Sequence, residues 1–231
     1  MLTYLIFVLV GLVALVLVVP GVAAQRQRNR ARIAALEQLG FRPCLDQKDW
    51  LEETITCIEN NRGFRYEVRN PKRLAGEPTV YYYIKVRHGD VHRETLPVSE
   101  EEILFLLKRP ASGGLVLAVK PSSLAPGIAT RLLGAIATGP WDAQPDDLRR
   151  IELPPDLKNT NLMGALGPPG ASLYDLVDST TLSVVQGLGD AGGLLVRFRD
   201  TWCSVASASD QIPFRLDEIV ARIRPLARRQ E

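Results

Sequence analysis

The stretch FRYEVRNPKRLAGEPTVYYYIKVRHGDVHRETLPV, residues 64–98, decides the predicted fold. Apolar and polar side chains alternate along Phe64–Arg69 and again along Tyr82–Arg87. A period of two residues is typical of a β-strand with one buried face. An Asn-Pro pair separates the first two runs, and Gly89-Asp90 marks a tight turn before a third run, Val91–Val98. The sequence therefore predicts a three-stranded antiparallel meander.

A helix is predicted directly after the meander. Ser99-Glu100-Glu101-Glu102 has the pattern of a capping box, and the apolar residues up to Leu107 would form the buried face. We interpret the three glutamates as the first helical turn, where the helix dipole favours negative charge. Gly113-Gly114 then precedes a short apolar strand, Leu115–Val119, and helical spacing resumes over Ile128–Ile136. These elements complete a predicted α+β lobe, residues 41–140.

A second lobe is predicted at the C-terminal end of the chain. Five prolines between residues 141 and 170 indicate a connection without regular structure. Residues 171–231 then contain a helical pattern, strands over Leu194–Arg199 and Trp202–Ala206, and a final amphipathic helix. The order helix, Gly-Gly, apolar strand, helix occurs in both lobes. One interpretation is a duplicated unit, but this order is also common in unrelated segments.

The first 24 residues predict a transmembrane helix. Leu2–Ala24 contains no charged side chain, and a helix of that length spans roughly 34 Å, enough to cross the hydrocarbon core of a bilayer. The alternative is a signal peptide cleaved after Ala24, which would make the rest an exported soluble binding protein. Against cleavage, no Lys or Arg precedes the apolar run, and the run exceeds the usual length of about 7–15 residues.

A basic segment follows the apolar run. Residues 25–40 are rich in helix formers, and Gly40 is a natural terminator, so we expect a juxtamembrane helix. Its arginines would keep the following domain cytoplasmic and lie at the membrane surface. These candidate membrane-surface residues are Arg26, Arg28, Arg30 and Arg32.

Composition excludes some classes of function. The formal net charge of +2 is too small for the basic footprint that nucleic-acid binding usually requires, so we expect no nucleic-acid partner. The three cysteines, Cys44, Cys57 and Cys203, form no CxxC pair and imply no disulfide framework. We interpret them as reduced thiols, mostly buried.

The motifs that resemble active sites have better structural explanations. Gly187–Gly192 matches GxGxxG, but the predicted helix precedes it and the strand follows it, the reverse of a dinucleotide site. His88, Asp90 and His92 would share one face of a continuous strand, but the turn at Gly89-Asp90 interrupts that strand. No serine or cysteine has a local base. We therefore predict no catalytic residue, no cofactor and no metal site.

The sequence as a whole predicts an α+β protein with one N-terminal transmembrane helix. After that helix we expect a domain of antiparallel strands and amphipathic helices, which on one interpretation consists of two similar lobes. The expected function is that of a non-enzymatic accessory or scaffolding subunit in the inner membrane, whose partners are membrane protein subunits and the lipid bilayer. The alternative is a membrane-anchored enzyme or ligand sensor whose site is assembled from residues far apart in the chain.

Overall fold

A computed structural model describes residues 27, 30–61, 63–89, 98–121, 147–158, 160–207 and 214–228. The chain divides into two compact units, residues 1–40 and residues 41–231. In the first unit, residues 30–38 form helix α1. Gly40 follows it with a φ of 92°, a left-handed conformation that glycine adopts without strain. The predicted helix end at Gly40 is confirmed.

The second unit is built on one antiparallel sheet. Within the described residues it has nine strands in the order β1-β2-β3-β4-β9-β8-β5-β7-β6. Every neighbouring pair is antiparallel. The strands are β1 (Phe41–Pro43), β2 (Phe64–Leu74), β3 (Val80–Gly89), β4 (Val98–Leu106), β5 (Leu115–Val119), β6 (Arg149–Ile151), β7 (Leu162–Gly167), β8 (Leu194–Arg199) and β9 (Trp202–Ser207).

The prediction of a helix directly after the meander is wrong. Residues 98–106 form β4, which pairs with β3 on one side and β9 on the other. The local capping-box pattern is overridden because alternate glutamates of this strand meet cations on other elements, as described below. The third strand of the meander therefore begins at Val98, and residues 90–97, where we expected it, lie outside the described residues.

The prediction of two similar lobes is also wrong. Strands β9 and β8, from the predicted second lobe, lie between β4 and β5 of the predicted first lobe. The residues before Gly113 form a strand where the repeat required a helix. The described part of the predicted connection 141–170 supplies β6 and β7 to the same sheet. One continuous sheet thus replaces the two lobes.

The structure does not support the predicted transmembrane helix, nor the classification as a single-pass membrane protein that depends on it. Among the described residues, no helix combines the length and the apolar character needed to span a bilayer. The predicted segment, residues 1–24, lies outside the described residues. The predicted fold class is corrected to a nine-stranded antiparallel sheet with few helices.

Four α-helices accompany the sheet in the described part of the second unit. They are α2 (Lys48–Glu59), α3 (Leu173–Leu176), α4 (Ser179–Gly187) and α5 (Leu216–Ile223). The amphipathic C-terminal helix is confirmed, and its buried residues are Leu216, Ile219, Val220 and Ile223.

Helix α2 covers one face of the sheet. Leu51, Ile55 and Ile58, spaced at three and four residues, form its apolar stripe. They pack in a core cluster with tyrosines of β2 and β3 and with Leu104 of β4. This packing places the last residue of α2, Glu59, over the middle of the sheet.

Candidate functional site

Five charged side chains meet beneath the C-terminal end of α2, and we call them the buried ionic cluster. The helix provides one member and three strands provide the others. The members are Glu59 of α2, Lys85 of β3, Glu100 and Glu102 of β4, and Arg197 of β8. The two glutamates of β4 point to the same face because they are two residues apart in a strand.

Lys85 is the centre of the cluster. Its Nζ forms a short contact with Glu59 Oε1 and lies 3.2 Å from both Glu100 Oε2 and Glu102 Oε2. An ammonium group has three donors, so one lysine can serve three carboxylates.

Arg197 provides the second cation. Its Nε lies 3.4 Å from Glu59 Oε1 and its Nη1 lies 3.4 Å from Glu102 Oε1. Glu59 and Glu102 therefore each contact both cations. The cluster joins the helix to both halves of the sheet, because Arg197 comes from the C-terminal strands.

Burial and charge act in opposite directions on the cluster. Burial would raise the pKa of Glu59, but Arg197 and Lys85 together outweigh it and lower the pKa below the ordinary value. Burial and Arg197 would lower the pKa of Lys85, but the three carboxylates outweigh them and raise it. Glu59 and Lys85 are therefore charged at neutral pH.

The cluster is closed to solvent. The side chains of Lys85, Glu59 and Glu102 are 2%, 4% and 1% exposed, and Glu100 is the most exposed of the carboxylates at 15%. A general acid or base must exchange a proton near the working pH and reach its substrate. A substrate does not reach side chains this deeply buried, and the contacts of the cluster join α2 to the sheet.

A second polar contact ties the end of α2 to the sheet. Asn60 ends the helix in a left-handed conformation and donates from Nδ2 to Asp147 Oδ1 over 2.9 Å. Arg199 of β8 donates to both oxygens of the same carboxylate, at 2.9 and 3.0 Å. Such a two-point guanidinium–carboxylate pair fixes orientation as well as distance.

An aromatic surface lies near the other end of α2, formed by Trp50 and Trp202. The Trp50 ring lies 5.3 Å from the Trp202 ring and 5.3 Å from the ring of buried Tyr81, centroid to centroid. Trp50 is 36% exposed, and Trp202 is half-buried. Tryptophan on a protein surface is enriched at binding sites, where it provides a large apolar area with few rotatable bonds.

The candidate membrane-surface arginines are only partly described. Arg30 and Arg32 lie in α1, where Arg30 is exposed and Arg32 is half-buried. Arg26 and Arg28 lie outside the described residues.

The GxGxxG motif and the histidine motif at residues 88–92 were both predicted not to form functional sites. Helix α4 runs into Gly187, and β8 begins at Leu194, so the polarity opposite to a dinucleotide site is confirmed. His88 Nε2 lies 3.2 Å from Glu67 Oε2 on the neighbouring strand, while Asp90 and His92 lie outside the described residues. Among the residues with described positions, no group of three or more potential ligands could hold a metal ion.

Sequence reasoning missed the buried ionic cluster, although two signals pointed to it. Lys85 stands in the run Tyr-Tyr-Tyr-Ile-Lys-Val and Arg197 in the run Leu-Leu-Val-Arg-Phe, so each cation lies inside an otherwise apolar strand. A charged side chain in a buried strand requires a partner. The run of three glutamates at 100–102 is the obvious source of that partner.

No protein-family model matches the chain, and no curated protein or solved structure shows a significant similarity to it.

Proposed function

We propose that this protein acts by binding another protein, as a non-enzymatic accessory or scaffolding subunit. The proposal retains the interaction role expected from the sequence and omits the membrane anchor. The observation that carries it is the aromatic surface: Trp50 is 36% exposed, and its ring contacts two further aromatic residues.

Two acidic side chains close to Trp50 in the sequence indicate the chemistry of the partner. Asp49 and Glu53 are exposed on the same helix, one residue before Trp50 and three residues after it. Neither carboxylate pairs with a cation among the described residues. A cationic side chain of a partner can stack on the Trp50 ring and pair with a carboxylate at the same time. The partner we propose therefore presents lysine or arginine at the contact.

The buried ionic cluster supports this role indirectly. It holds α2 against the sheet through Glu59, so that the exposed side of the helix has a defined position. A rigid binding surface loses less conformational entropy on association than a mobile one.

The test compares assemblies formed by two tagged variants and the wild-type protein expressed in the native cell. Trp50→Ala should reduce recovery of the assembly at least about tenfold if the residue contributes like an interface hot spot. Tyr174→Ala removes an aromatic side chain that is 50% exposed elsewhere and should not change recovery. The proposal is wrong if the wild-type protein is recovered as a monomer, or if both variants behave alike.

A further inference from the structure

Among the described residues, the outer side of β2 is a sheet edge along most of its length. Strand β1 (Phe41–Pro43) pairs with β2 only at residues 72–74. In the part of the chain that the structure describes, no strand lies beside residues 64–69 on that side. An edge of this kind presents a row of backbone N–H and C=O groups and can add a strand from another chain.

A side chain of α2 occupies this edge. The backbone N–H of Val68 donates to Glu52 Oε1 over 2.9 Å, so it points away from β3. The same carboxylate oxygen lies 3.6 Å from Lys48 Nζ, one turn earlier in the helix. Because alternate residues of an antiparallel ladder point to the same side, the backbone groups of Phe64 and Tyr66 point outward with that of Val68. Glu52 therefore takes a hydrogen-bonding position that a neighbouring strand would use.

We infer that Glu52 keeps this edge of β2 closed to a second copy of the chain. The charges of β2 favour one antiparallel pairing of two copies. If Tyr66 faces Tyr66 of the second copy, Arg65 faces Glu67 of the second copy, and opposite charges in that position attract. A pairing centred on Glu67 instead would place Glu67 against Glu67 and Arg65 against Arg69, and like charges in that position repel.

The favoured pairing needs the backbone group that Glu52 holds. With Tyr66 at the centre, the Val68 N–H donates to the Phe64 carbonyl of the second copy, and symmetry repeats this bond once. Both copies would first have to release Glu52. A hydrogen bond to a carboxylate is about twice as strong as one between neutral groups. The contact with Glu52 therefore favours the separate chain over the paired form.

Glu52→Ala tests the inference through self-association of the full-length protein, measured by analytical ultracentrifugation over a concentration series. Alanine is a strong helix former, so α2 is retained. The substitution frees the Val68 N–H in both copies, and the association constant should rise about tenfold. Glu53→Ala is the matched control, because it removes an exposed carboxylate from the next position of the same helix and should leave association unchanged. Equal association constants for Glu52→Ala and the wild-type protein, or for the two variants, would overturn the inference.

A second substitution tests the position of the contact. Arg65 is exposed on β2. Arg65→Glu, added to Glu52→Ala, places a carboxylate opposite Glu67 of the second copy, and the tenfold gain should disappear because the charges now repel. A gain that persists in the double variant would show that the copies meet at another surface, and the inference would be wrong.

Discussion

Lys85 on β3 lies directly opposite Glu100 on β4, and the Nζ and Oε2 atoms of the pair are 3.2 Å apart. An opposite pair on neighbouring antiparallel strands is the closest cross-strand position. The same ammonium group also reaches Glu59 of α2 and Glu102, so one side chain joins a helix to two strands. Removing Lys85 would leave three carboxylates under α2 with Arg197 as their main partner.

We predict that Lys85→Met destabilises the protein by about 3–5 kcal/mol, because carboxylates remain in the interior after their main cation is removed. The free energy of unfolding in urea measures this. Lys158→Met is the control. Its Nζ lies 3.2 Å from Glu152 on the surface, and loss of such an exposed pair should cost about 0–1 kcal/mol. Equal losses in the two variants would contradict a structural role for the cluster.

Stability should fall in acid because the pKa values of Glu59 and Glu100 are lowered from an ordinary value of 4.5. A carboxylate with a lowered pKa stabilises the folded state above its unfolded pKa, and this contribution is lost as the pH falls through the folded pKa. The expected loss therefore begins below about pH 4.5.

At alkaline pH the dependence of stability on pH has the opposite sign. The pKa of Lys85 is raised above its ordinary value of 10.5, so its contribution is complete below that pH and is lost as the pH rises through the folded pKa. Urea unfolding midpoints at a series of pH values test both limbs. Glu59→Gln should flatten the acid limb, and an unchanged slope in that variant would argue against the lowered pKa.

The three cysteines should differ in reactivity. Cys57 is exposed on α2, whereas Cys44 and Cys203 are buried. Burial raises the pKa of the Cys44 thiol to about 11 and also raises that of Cys203, so their reactive thiolate forms are rare at neutral pH. A thiol reagent should modify one group rapidly in the native protein and three in denaturant. Cys57→Ser should remove the rapid phase, and a rapid phase that persists would show that this placement is wrong.

Gly189→Ala should destabilise the protein by about 1–3 kcal/mol, the usual range for overpacking. A Cβ at this position would lie 2.5 Å from Asn161 Nδ2 and 2.9 Å from the backbone oxygen of Lys120. The Asn161 side chain is held by its hydrogen bond to the Gln186 carbonyl, so it cannot move freely.

Gly63→Ala is the matched control for that substitution. Its Cβ would meet Asn61 Oδ1 at 3.4 Å, an ordinary contact, and stability should change by less than about 0.5 kcal/mol. Thermal unfolding of both variants measures the difference. A neutral Gly189→Ala would remove the packing explanation for this glycine of the GxGxxG motif.

The sequence by itself determined the elements whose pattern is local. The alternation in Phe64–Arg69 and Tyr82–Arg87 identified β2 and β3, because a strand with one buried face needs only a two-residue period. The spacing of Leu216, Ile219, Val220 and Ile223 identified α5 for the corresponding reason. Gly40 ended α1 because its backbone conformation strongly favours glycine.

Only the tertiary structure decided the state of residues 99–106 and the position of the candidate site. Ser-Glu-Glu-Glu followed by apolar residues suits the start of a helix and also a strand, and the choice depends on which charges lie nearby. Lys85 and Arg197, at the same face of the sheet, favour the strand because it turns Glu100 and Glu102 toward them. The strand order was also decided only by the tertiary structure. Strands β8 and β9 lie in the middle of the sheet because pairing there covers both edges of these apolar strands. The contact between Glu102 and Arg197 joins residues that are 95 positions apart, so it leaves no periodic pattern in the sequence.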